Sequence, residues 1–348
     1  MTEPIYFITG TTGFLGSEIL RTILKQDPQA QCYCLIRDLA QRKLTPESDR
    51  VFHVSGDITQ ENLGLSLEEY QNLARKITHV IHSAAMVQFE KPKHILEKIN
   101  VHGTENMIAF AKAAQQQNPE FKIMGYVSTA YVAGRRTGVV NEQDLSDAYG
   151  FKNNYESTKY AAECLLHSLK TTLPVVIFRP SIILGHSEDG ATPRTNVIFP
   201  LTQVVKRFPF NLGIMPVNKN CLLDLVPVDY VAKSIYFLLN KENSGQVFHL
   251  TSGQGKELSV GQVVDIFRQV YKLHALLVPA RLWPLGRRLL SYTKKGQYFI
   301  KGMDPFWPYV VSNPQFCQKQ TQQLLDQYQV RCHPMDDVLK KTLLFMEK

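Results

Sequence analysis

The chain has 348 residues, 44% of them hydrophobic and 20% charged, which suits one globular α/β domain with an appended lobe. No apolar run approaches the ~20 residues that cross a bilayer, and the N-terminus has no signal-peptide pattern, so we expect a cytoplasmic protein without a transmembrane segment. The net charge of +8 is scattered. It suits acidic partners such as nucleotide phosphates, coenzyme A, an acidic carrier protein or anionic lipid, and in the absence of a nucleic-acid motif we expect no nucleic-acid partner.

The six cysteines form no CxxC pair. We interpret them as free thiols in a reducing cytosol, not as disulfides or metal ligands, and expect no metal site. Cys32 and Cys34 alternate within a predicted strand and should point to the same face.

Short β-rich runs alternate with helical stretches through the first half of the chain. Strands are predicted at 5–9, 32–36, 51–54, 79–83, 123–128 and 174–178, and helices at 17–25, 99–116 and 155–169. This βα alternation predicts an α/β fold, a Rossmann-type doubly wound sheet of mainly parallel strands.

The second half is less regular. Residues 186–225 predict long loops, followed by a helix at 228–239 and a strand at 246–250. We therefore expect a dinucleotide-binding core at 1–185 and a smaller, mostly helical substrate lobe at 186–348, with 226–252 returning to the core. The lobe should pack over the carboxyl edge of the sheet, where such sheets bind ligands.

Two later segments stand out by composition. Residues 304–310 are rich in aromatic side chains, and residues 281–301 mix basic residues with Leu, Trp and Tyr. The basic segment has three open interpretations: the lining of an acyl tunnel, a peripheral contact with a membrane surface, or a packed helix pair.

The glycines at 10, 13 and 16 predict a dinucleotide-binding turn. They follow an apolar strand and open a helix, where glycine lets the backbone approach a pyrophosphate and the helix offers free N–H groups. Arg37 ends the second strand and is followed by Asp38. An arginine here accommodates the 2′-phosphate of NADP, so we favour NADPH, with NAD as the alternative. Arg42 and Lys43 follow as either further phosphate ligands or a solvated charged loop.

Two later strand ends face the same cofactor. Asp57 follows the third strand and is placed to reach the adenine. The small residues Ser83, Ala84 and Ala85 follow the fourth strand and let the cofactor lie against the backbone. We interpret His82 before them as a buried structural histidine.

A reaction centre is predicted from a tyrosine, a lysine and one of two neighbouring hydroxyl residues. Tyr155 and Lys159 lie four apart on one helix face, and Ser128 and Thr129 end the fifth strand. A hydride that reaches a carbonyl carbon leaves charge on oxygen, which a tyrosine proton and a neighbouring hydroxyl stabilise. We expect the lysine ammonium to lower the tyrosine pKa.

These motifs together resemble the extended short-chain dehydrogenase/reductases, in family order over residues 5–235. The matching segments are Thr9-Gly10-Thr11-Thr12-Gly13-Phe14-Leu15-Gly16, Gly56-Asp57, His82-Ser83-Ala84-Ala85, Asn100-Val101-His102-Gly103-Thr104, Tyr126-Val127-Ser128-Thr129, Tyr155-Glu156-Ser157-Thr158-Lys159, Arg179-Pro180-Ser181 and Val226-Pro227-Val228-Asp229.

The resemblance implies a catalytic triad of Thr129, Tyr155 and Lys159. Thr129 is chosen over Ser128 because the segment from Thr129 to Gly134 fits the family frame better. It also implies that Asn100 supports the active site from its helix, with a plain polar residue near a helix start as the alternative, and that Arg179-Pro180-Ser181 closes over the nicotinamide. The implied cofactor-binding residues are Gly10, Thr12, Gly13, Phe14, Leu15, Gly16, Arg37, Asp57, Ile58, Ser83, Ala84, Ala85, Asn100, Tyr155, Lys159, Pro180, Ser181 and Ile182.

Within that family the chain is similar to the thioester reductase and fatty acyl-CoA reductase (male-sterility-like) branch. The similarity includes Gly13-Phe14-Leu15-Gly16 and the segment 154–163. It implies NADPH-dependent reduction of an acyl thioester, on coenzyme A or an acyl carrier protein, to an aldehyde or alcohol. We see no adenylation module or carrier domain, so the thioester is expected to arrive in trans.

Three alternatives remain at this stage. A ketone or alcohol dehydrogenase of the hydroxysteroid type would use the same triad. A nucleotide-sugar epimerase would hold NAD tightly, which Arg37 disfavours. A non-catalytic dinucleotide sensor would not need both Tyr155 and Lys159.

Overall fold

The computed structural model describes residues 3–40, 46–194, 196, 198–207, 214–272 and 276–348. The strands are β1 Ile5–Thr9, β2 Gln31–Ile36, β3 Val51–Ser55, β4 His79–His82, β5 Ile123–Val127, β6 Gly138–Val140, β7 Val175–Pro180, β8 Ile182–Leu184, β9 Ile214–Val217, β10 Leu222–Leu223, β11 Leu225–Pro227, β12 Val247–Leu250, β13 Leu258–Ser259, β14 Leu276–Pro279 and β15 Pro314–Phe316. The helices are α1 Phe14–Gln26, α2 Leu67–Ala74, α3 Lys93–Glu97, α4 Gly103–Gln117, α5 Asn154–His167, α6 Ile198–Arg207, α7 Val228–Leu238, α8 Val260–Tyr271, α9 Trp283–Leu290, α10 Lys294–Met303, α11 Trp307–Val311, α12 Lys319–Gln327 and α13 Met335–Phe345.

Seven strands form one sheet in the order β3-β2-β1-β4-β5-β7-β12, and every neighbouring pair is parallel. The chain order reverses between β1 and β4. In open sheets of this kind the crevice at that reversal is the ligand site. The predicted Rossmann-type doubly wound sheet is confirmed.

Both faces of the sheet are covered, which explains why its strands read as continuous apolar runs. Phe7 and Ile8 are adjacent and fully buried, yet they belong to two different core clusters, because side chains alternate across a strand. Helices α1 and α7 pack together in one layer, and α2, α4 and α5 form the other. Cys32 and Cys34 share one cluster, as predicted, and all six cysteines are free thiols.

The predicted helix at 99–116 is longer and less regular than expected. It begins at α3, and a π-helical turn at Lys98–His102 joins α3 to α4. Such turns often occur at functional sites. The other first-half elements match their predictions within about three residues, and α1 starts earlier because Gly13 is its N-cap.

The C-terminal half adds its own core. Strand β12 joins the main sheet beside β7, and four two-stranded pairs (β8–β11, β9–β14, β10–β13 and β6–β15) lie outside it. Helices α8 and α13 pack together around a third apolar cluster, and α9 packs against α10. Within the described ranges, no helix has the length and apolar character needed to cross a membrane.

Candidate active site

The glycine turn after β1 is closed by backbone contacts that leave no room for side chains. Gly10 has φ of +81°, and a Cβ there would lie 2.8 Å from the amide nitrogen of Ala84. A Cβ on Gly16 would lie 2.1 Å from the Gly10 carbonyl oxygen, and the Gly13 N–H donates to that same oxygen at 2.9 Å. Glycine is therefore required at both ends of the turn.

A cavity of about 710 Å³ begins at this turn and extends into the C-terminal half. All but one of the predicted site residues line it: Gly10, Thr12, Gly13, Phe14, Leu15, Gly16, Arg37, Asp57, Ile58, Ser83, Ala84, Ala85, Thr129, Tyr155, Lys159, Pro180, Ser181 and Ile182. The topology thus brings residues from six strand ends into one space.

Asn100 is the exception among the predicted cofactor-binding residues. It is buried in the π-helical turn and does not line the cavity. Its amide accepts from the Met86 N–H at 2.8 Å, and donates to the Met86 carbonyl at 3.2 Å and to Thr158 Oγ1 at 3.1 Å. These bonds occupy its side chain and tie the loop at Met86 to α5.

A basic and an acidic side chain, Arg37 and Asp38, follow each other at the end of the cavity near β2 and β3. Arg37 is exposed and lines the cavity, whereas the Asp38 carboxylate accepts from the Ala40 N–H at 2.9 Å. Asp57 Oδ1 accepts from the Thr59 N–H at 2.8 Å, which fixes the loop after β3. Arg42 and Lys43 lie outside the described residues.

His82 is structural, as predicted. It is buried, and its two ring nitrogens lie 2.8 Å from Thr9 Oγ1 and 3.2 Å from Thr104 Oγ1. Burial lowers its pKa to about 3, so the ring is neutral at physiological pH. It ties β1, β4 and α4 together behind the cavity.

Lys159 is buried on α5. Its Nζ donates to the Val127 carbonyl at 2.7 Å and lies 4.1 Å from the centroid of the Tyr126 ring. Burial lowers its pKa to about 7, opposed by the attraction of Glu163. With this pKa the Lys159 ammonium loses its proton near neutral pH. The side chain lines the cavity.

The expected lowering of the Tyr155 pKa is wrong for this structure. Burial, and secondly the charge of Glu156, raise the pKa of Tyr155 above its usual value. The desolvation cost of a phenolate is the larger of these two effects, and both act in the same direction. The hydroxyl is therefore protonated throughout the physiological range and available as a proton donor.

Ser128 and Thr129 differ in what their hydroxyls do. Ser128 Oγ donates to Glu163 Oε2 at 2.6 Å, and that carboxylate is also paired with the buried Arg179, which lowers its pKa to about 2 against the cost of burial. Thr129 Oγ1 has only long contacts, 3.3 Å from the Tyr131 nitrogen and 3.5 Å from the Pro180 carbonyl. Thr129 is the hydroxyl free to bond a ligand.

Beyond Tyr155 the cavity wall is aromatic. The rings of Phe89 and Tyr155 lie 6.0 Å apart, and Tyr309 lies 5.9 Å from Phe89 and 5.1 Å from Tyr131. The Tyr309 hydroxyl donates to Glu156 Oε1 at 2.7 Å, a fully buried carboxylate next to Tyr155 in sequence. Helix α11 is thereby bonded to α5.

The far end of the cavity is apolar, and sequence reasoning missed it. Its lining there includes Ile198, Leu201, Leu223, Leu225, Val263, Phe306, Val310 and Leu339. These residues come from α6, β10, β11, α8, α13 and the stretch 306–310, and no shared motif links them. The aromatic stretch at 304–310 was the one signal, and it supplies Phe306 and Tyr309.

The basic segment 281–301 does not line this cavity. It forms the α9–α10 helix pair, whose buried residues Trp283 and Phe299 pack against Leu201. The tunnel interpretation is wrong for this segment, and the packed-pair interpretation describes its inner face.

The parallel sheet, the glycine turn and the Tyr155-Lys159 pair in one cavity define an extended short-chain dehydrogenase/reductase, a class of NAD(P)H-dependent oxidoreductase domain. The family model described as "Male sterility protein" matches residues 8–235, and the chain belongs to that family.

Known proteins similar to the chain carry related names. A linear gramicidin synthase chain of Brevibacillus parabrevis is 31% identical over 70% of this chain and 5% of its own length. A putative fatty acyl-CoA reductase of Drosophila melanogaster is 26% identical over 77% of this chain and 58% of its own. The chain therefore spans only part of these relatives.

Solved structures show the same fold over the whole chain. The terminal R domain from the myxalamid PKS-NRPS biosynthetic pathway aligns with a TM-score of 0.84 at 25% identity, covering 100% of this chain and 91% of that one. A thiolation-reductase di-domain from an archaeal non-ribosomal peptide synthetase aligns with a TM-score of 0.77 at 21% identity, covering 100% and 76%.

Proposed function

We propose that the protein is an NADPH-dependent reductase of acyl thioesters, presented on coenzyme A or on an acyl carrier protein, with an aldehyde as first product. The observation that carries this proposal is the continuity of the cavity. The cavity joins the glycine turn to Thr129, Tyr155 and Lys159 and then continues into its apolar far end, which we call the apolar chamber. A chamber of that character suits an acyl chain better than a sugar nucleotide.

The residues present fit a dinucleotide phosphate. The turn can close against the backbone only because Gly10 and Gly16 lack side chains, and the N-terminus of α1, which favours a phosphate, opens there. Arg37 supplies a positive charge at the adenosine end, where a 2′-phosphate requires one. This charge supports NADPH over NADH.

The names of the relatives point in the same direction. One solved structure is a terminal R domain of a PKS-NRPS pathway, another joins a reductase to a thiolation domain, and a sequence relative is a putative fatty acyl-CoA reductase. The net charge of +8 favours an acidic donor such as coenzyme A or a carrier protein.

The chain's own residues then have distinct roles. Bound NADPH supplies the hydride that the thioester carbonyl carbon receives. Thr129 and Tyr155 donate hydrogen bonds to the carbonyl oxygen as charge develops on it, and Tyr155 is protonated because its pKa is raised. Lys159 holds the nicotinamide ribose. Tyr155 passes its proton to that oxygen, which gives the hemithioacetal, and is reprotonated from solvent. Collapse of the hemithioacetal re-forms the carbonyl, breaks the carbon–sulfur bond, moves the hydroxyl proton to the departing sulfur and releases thiol and aldehyde.

The test is to mix purified protein with NADPH and an acyl thioester while measuring NADPH loss and free thiol together. We expect both signals with the native chain and neither with Tyr155→Phe. Consumption of a matched ketone without thiol release would instead indicate a hydroxysteroid-type dehydrogenase. Tightly held NAD with no net turnover would indicate an epimerase.

A further inference from the structure

Helix α9 is apolar on two opposite faces, and only one of them is covered. Trp283 and Leu290 pack inward against Phe299 and Met303 of α10. On the other face Leu285 and Leu289 are 60% and 63% exposed, and Leu282 and Tyr292, just before and just beyond the helix, are 43% and 74% exposed. A surface helix of a globular protein normally has a polar outer face.

The four outward residues form one stripe. Their spacing of three, four and three residues places them above one another along a helix. We call Leu282, Leu285, Leu289 and Tyr292 the leucine stripe. Large aliphatic side chains exposed in a contiguous row mark an interaction surface more often than isolated ones do.

Basic residues predominate around the leucine stripe. Residues 280–303 contain six Lys or Arg and no Asp or Glu. Arg281, Arg288, Lys294 and Lys295 are exposed, and Arg287 is paired with Asp304 at 2.8 Å. At a spacing of 100° per residue, Arg281 and Arg288 border the leucine stripe.

Apolar side chains bordered by basic ones are suited to a bilayer surface with anionic headgroups. The leucines enter the acyl boundary while the cations meet the phosphates. An acidic protein would satisfy the cations, but it would have to supply a matching apolar groove as well. A lipid surface offers both without shape matching.

This surface also has a structural connection to the cavity. Trp283 stacks on Trp307 with ring centroids 4.9 Å apart, and Trp307 follows Phe306, which lines the apolar end. Leu201 both lines the cavity and packs on the α9–α10 cluster. The helix pair that bears the leucine stripe is thus the outer layer of the apolar chamber wall.

We propose that the leucine stripe and its basic border form a peripheral binding surface for anionic membranes. Membrane binding would place the apolar chamber next to lipid, a source of long acyl substrates. Only this consequence rests on the proposed thioester reduction. Membrane binding itself requires no turnover, so the two proposals fail separately.

The test is flotation of the full chain with vesicles of phosphatidylcholine alone, and of phosphatidylcholine with phosphatidylserine in roughly a 3:1 ratio. We expect binding to the anionic vesicles at least about tenfold stronger than to the neutral ones, weakened by salt. The double variant Leu285→Glu/Leu289→Glu should lose at least about tenfold of this binding.

The matched control is Leu67→Glu, because Leu67 is 62% exposed on the distant helix α2. It should bind vesicles like the native chain, and all variants should keep the native circular dichroism and their activity on a short, water-soluble thioester. Absence of native binding to anionic vesicles would overturn the proposal. So would stripe variants that still bind vesicles but lose binding to an acidic acyl carrier protein.

Discussion

Arg37 offers the clearest test of cofactor choice, because removal of this one exposed side chain should change the affinity for NADPH but not for the nearly identical NADH. Arg37 lines the cavity, while the neighbouring Asp38 carboxylate is engaged by the Ala40 N–H. Only NADPH carries a 2′-phosphate for the guanidinium. We therefore expect Arg37→Ala to weaken NADPH binding and to leave NADH binding unchanged.

The magnitude follows from the type of contact. A hydrogen bond to a charged group contributes about 1.5–3 kcal/mol, and solvent exposure of Arg37 places the value toward the lower end. About 1.4 kcal/mol corresponds to a tenfold change in Kd, so the expected loss is about 10- to 30-fold.

The assay is titration of nucleotide fluorescence for NADPH and NADH, with Arg75→Ala as control. Arg75 is also exposed, but its partners Gln71 and Asn72 lie on α2, and neither it nor they line the cavity. Unchanged NADPH affinity in Arg37→Ala, or an equal loss for both nucleotides, would refute the assignment of Arg37 to the 2′-phosphate.

Four further predictions concern the reaction centre and the chamber. Thr129→Val should lower kcat by about 10²–10³-fold, whereas Thr129→Ser should retain most of the activity. Ser128→Ala should chiefly lower the free energy of unfolding, by about 1–3 kcal/mol in urea denaturation, because Glu163 loses a buried hydrogen-bond donor. Since burial holds the Lys159 pKa near 7, its ammonium is lost as pH rises through that value. Cofactor affinity should therefore fall above about pH 7 in the native chain and be flat across that range in Lys159→Met. Each methylene buried in the apolar chamber contributes about 0.8 kcal/mol, so kcat/KM should rise up to about fourfold per carbon along a series of saturated acyl thioesters; Leu201→Phe should end this rise at a shorter chain.

An unfolding free energy that is unchanged in Ser128→Ala would mean that the buried Glu163 does not depend on that hydroxyl. Each of the other three predictions also has a result that would count against it. Equal kcat losses in Thr129→Val and Thr129→Ser would mean that packing, not the hydroxyl, matters at this position. A pH dependence that persists in Lys159→Met would assign the titration to another group. A kcat/KM that does not change with chain length would place the acyl chain outside the chamber.

The core of the fold was predictable because local signals and global topology agree. The glycine spacing after β1 is a pattern that the sequence shows directly. Its cause is steric, because a Cβ on Gly10 or Gly16 would clash with backbone atoms. Strands buried on both faces read as apolar runs, and the helices between them carry 3.6-residue periodicity. The interpretation of His82 as structural also held, because both of its ring nitrogens have partners.

Two site predictions required geometry that the sequence does not contain. Asn100 matched a motif, but only the π-helical turn directs its amide to Met86 and away from the cavity. The pKa of Tyr155 depends on how deeply α5 is buried, which the spacing to Lys159 does not reveal. The choice between Ser128 and Thr129 similarly depends on tertiary structure, because the Ser128 hydroxyl is bonded to Glu163.

The apolar chamber was out of reach for a different reason. Its residues are ordinary core residues by composition, and only tertiary packing leaves a space among Leu223, Val263 and Leu339 instead of filling it. The bond from Tyr309 to Glu156 spans 153 residues, and no local pattern signals a contact of that range.

The central claim is hydride transfer from the cofactor to a thioester carbon. The most direct measurement uses NADPH with deuterium at the transferable position and traps the aldehyde for mass spectrometry. We predict one deuterium at the aldehyde carbon, released together with free thiol, and no labelled product from Tyr155→Phe. An aldehyde without the label, or thiol release that proceeds equally well without NADPH, would contradict the account.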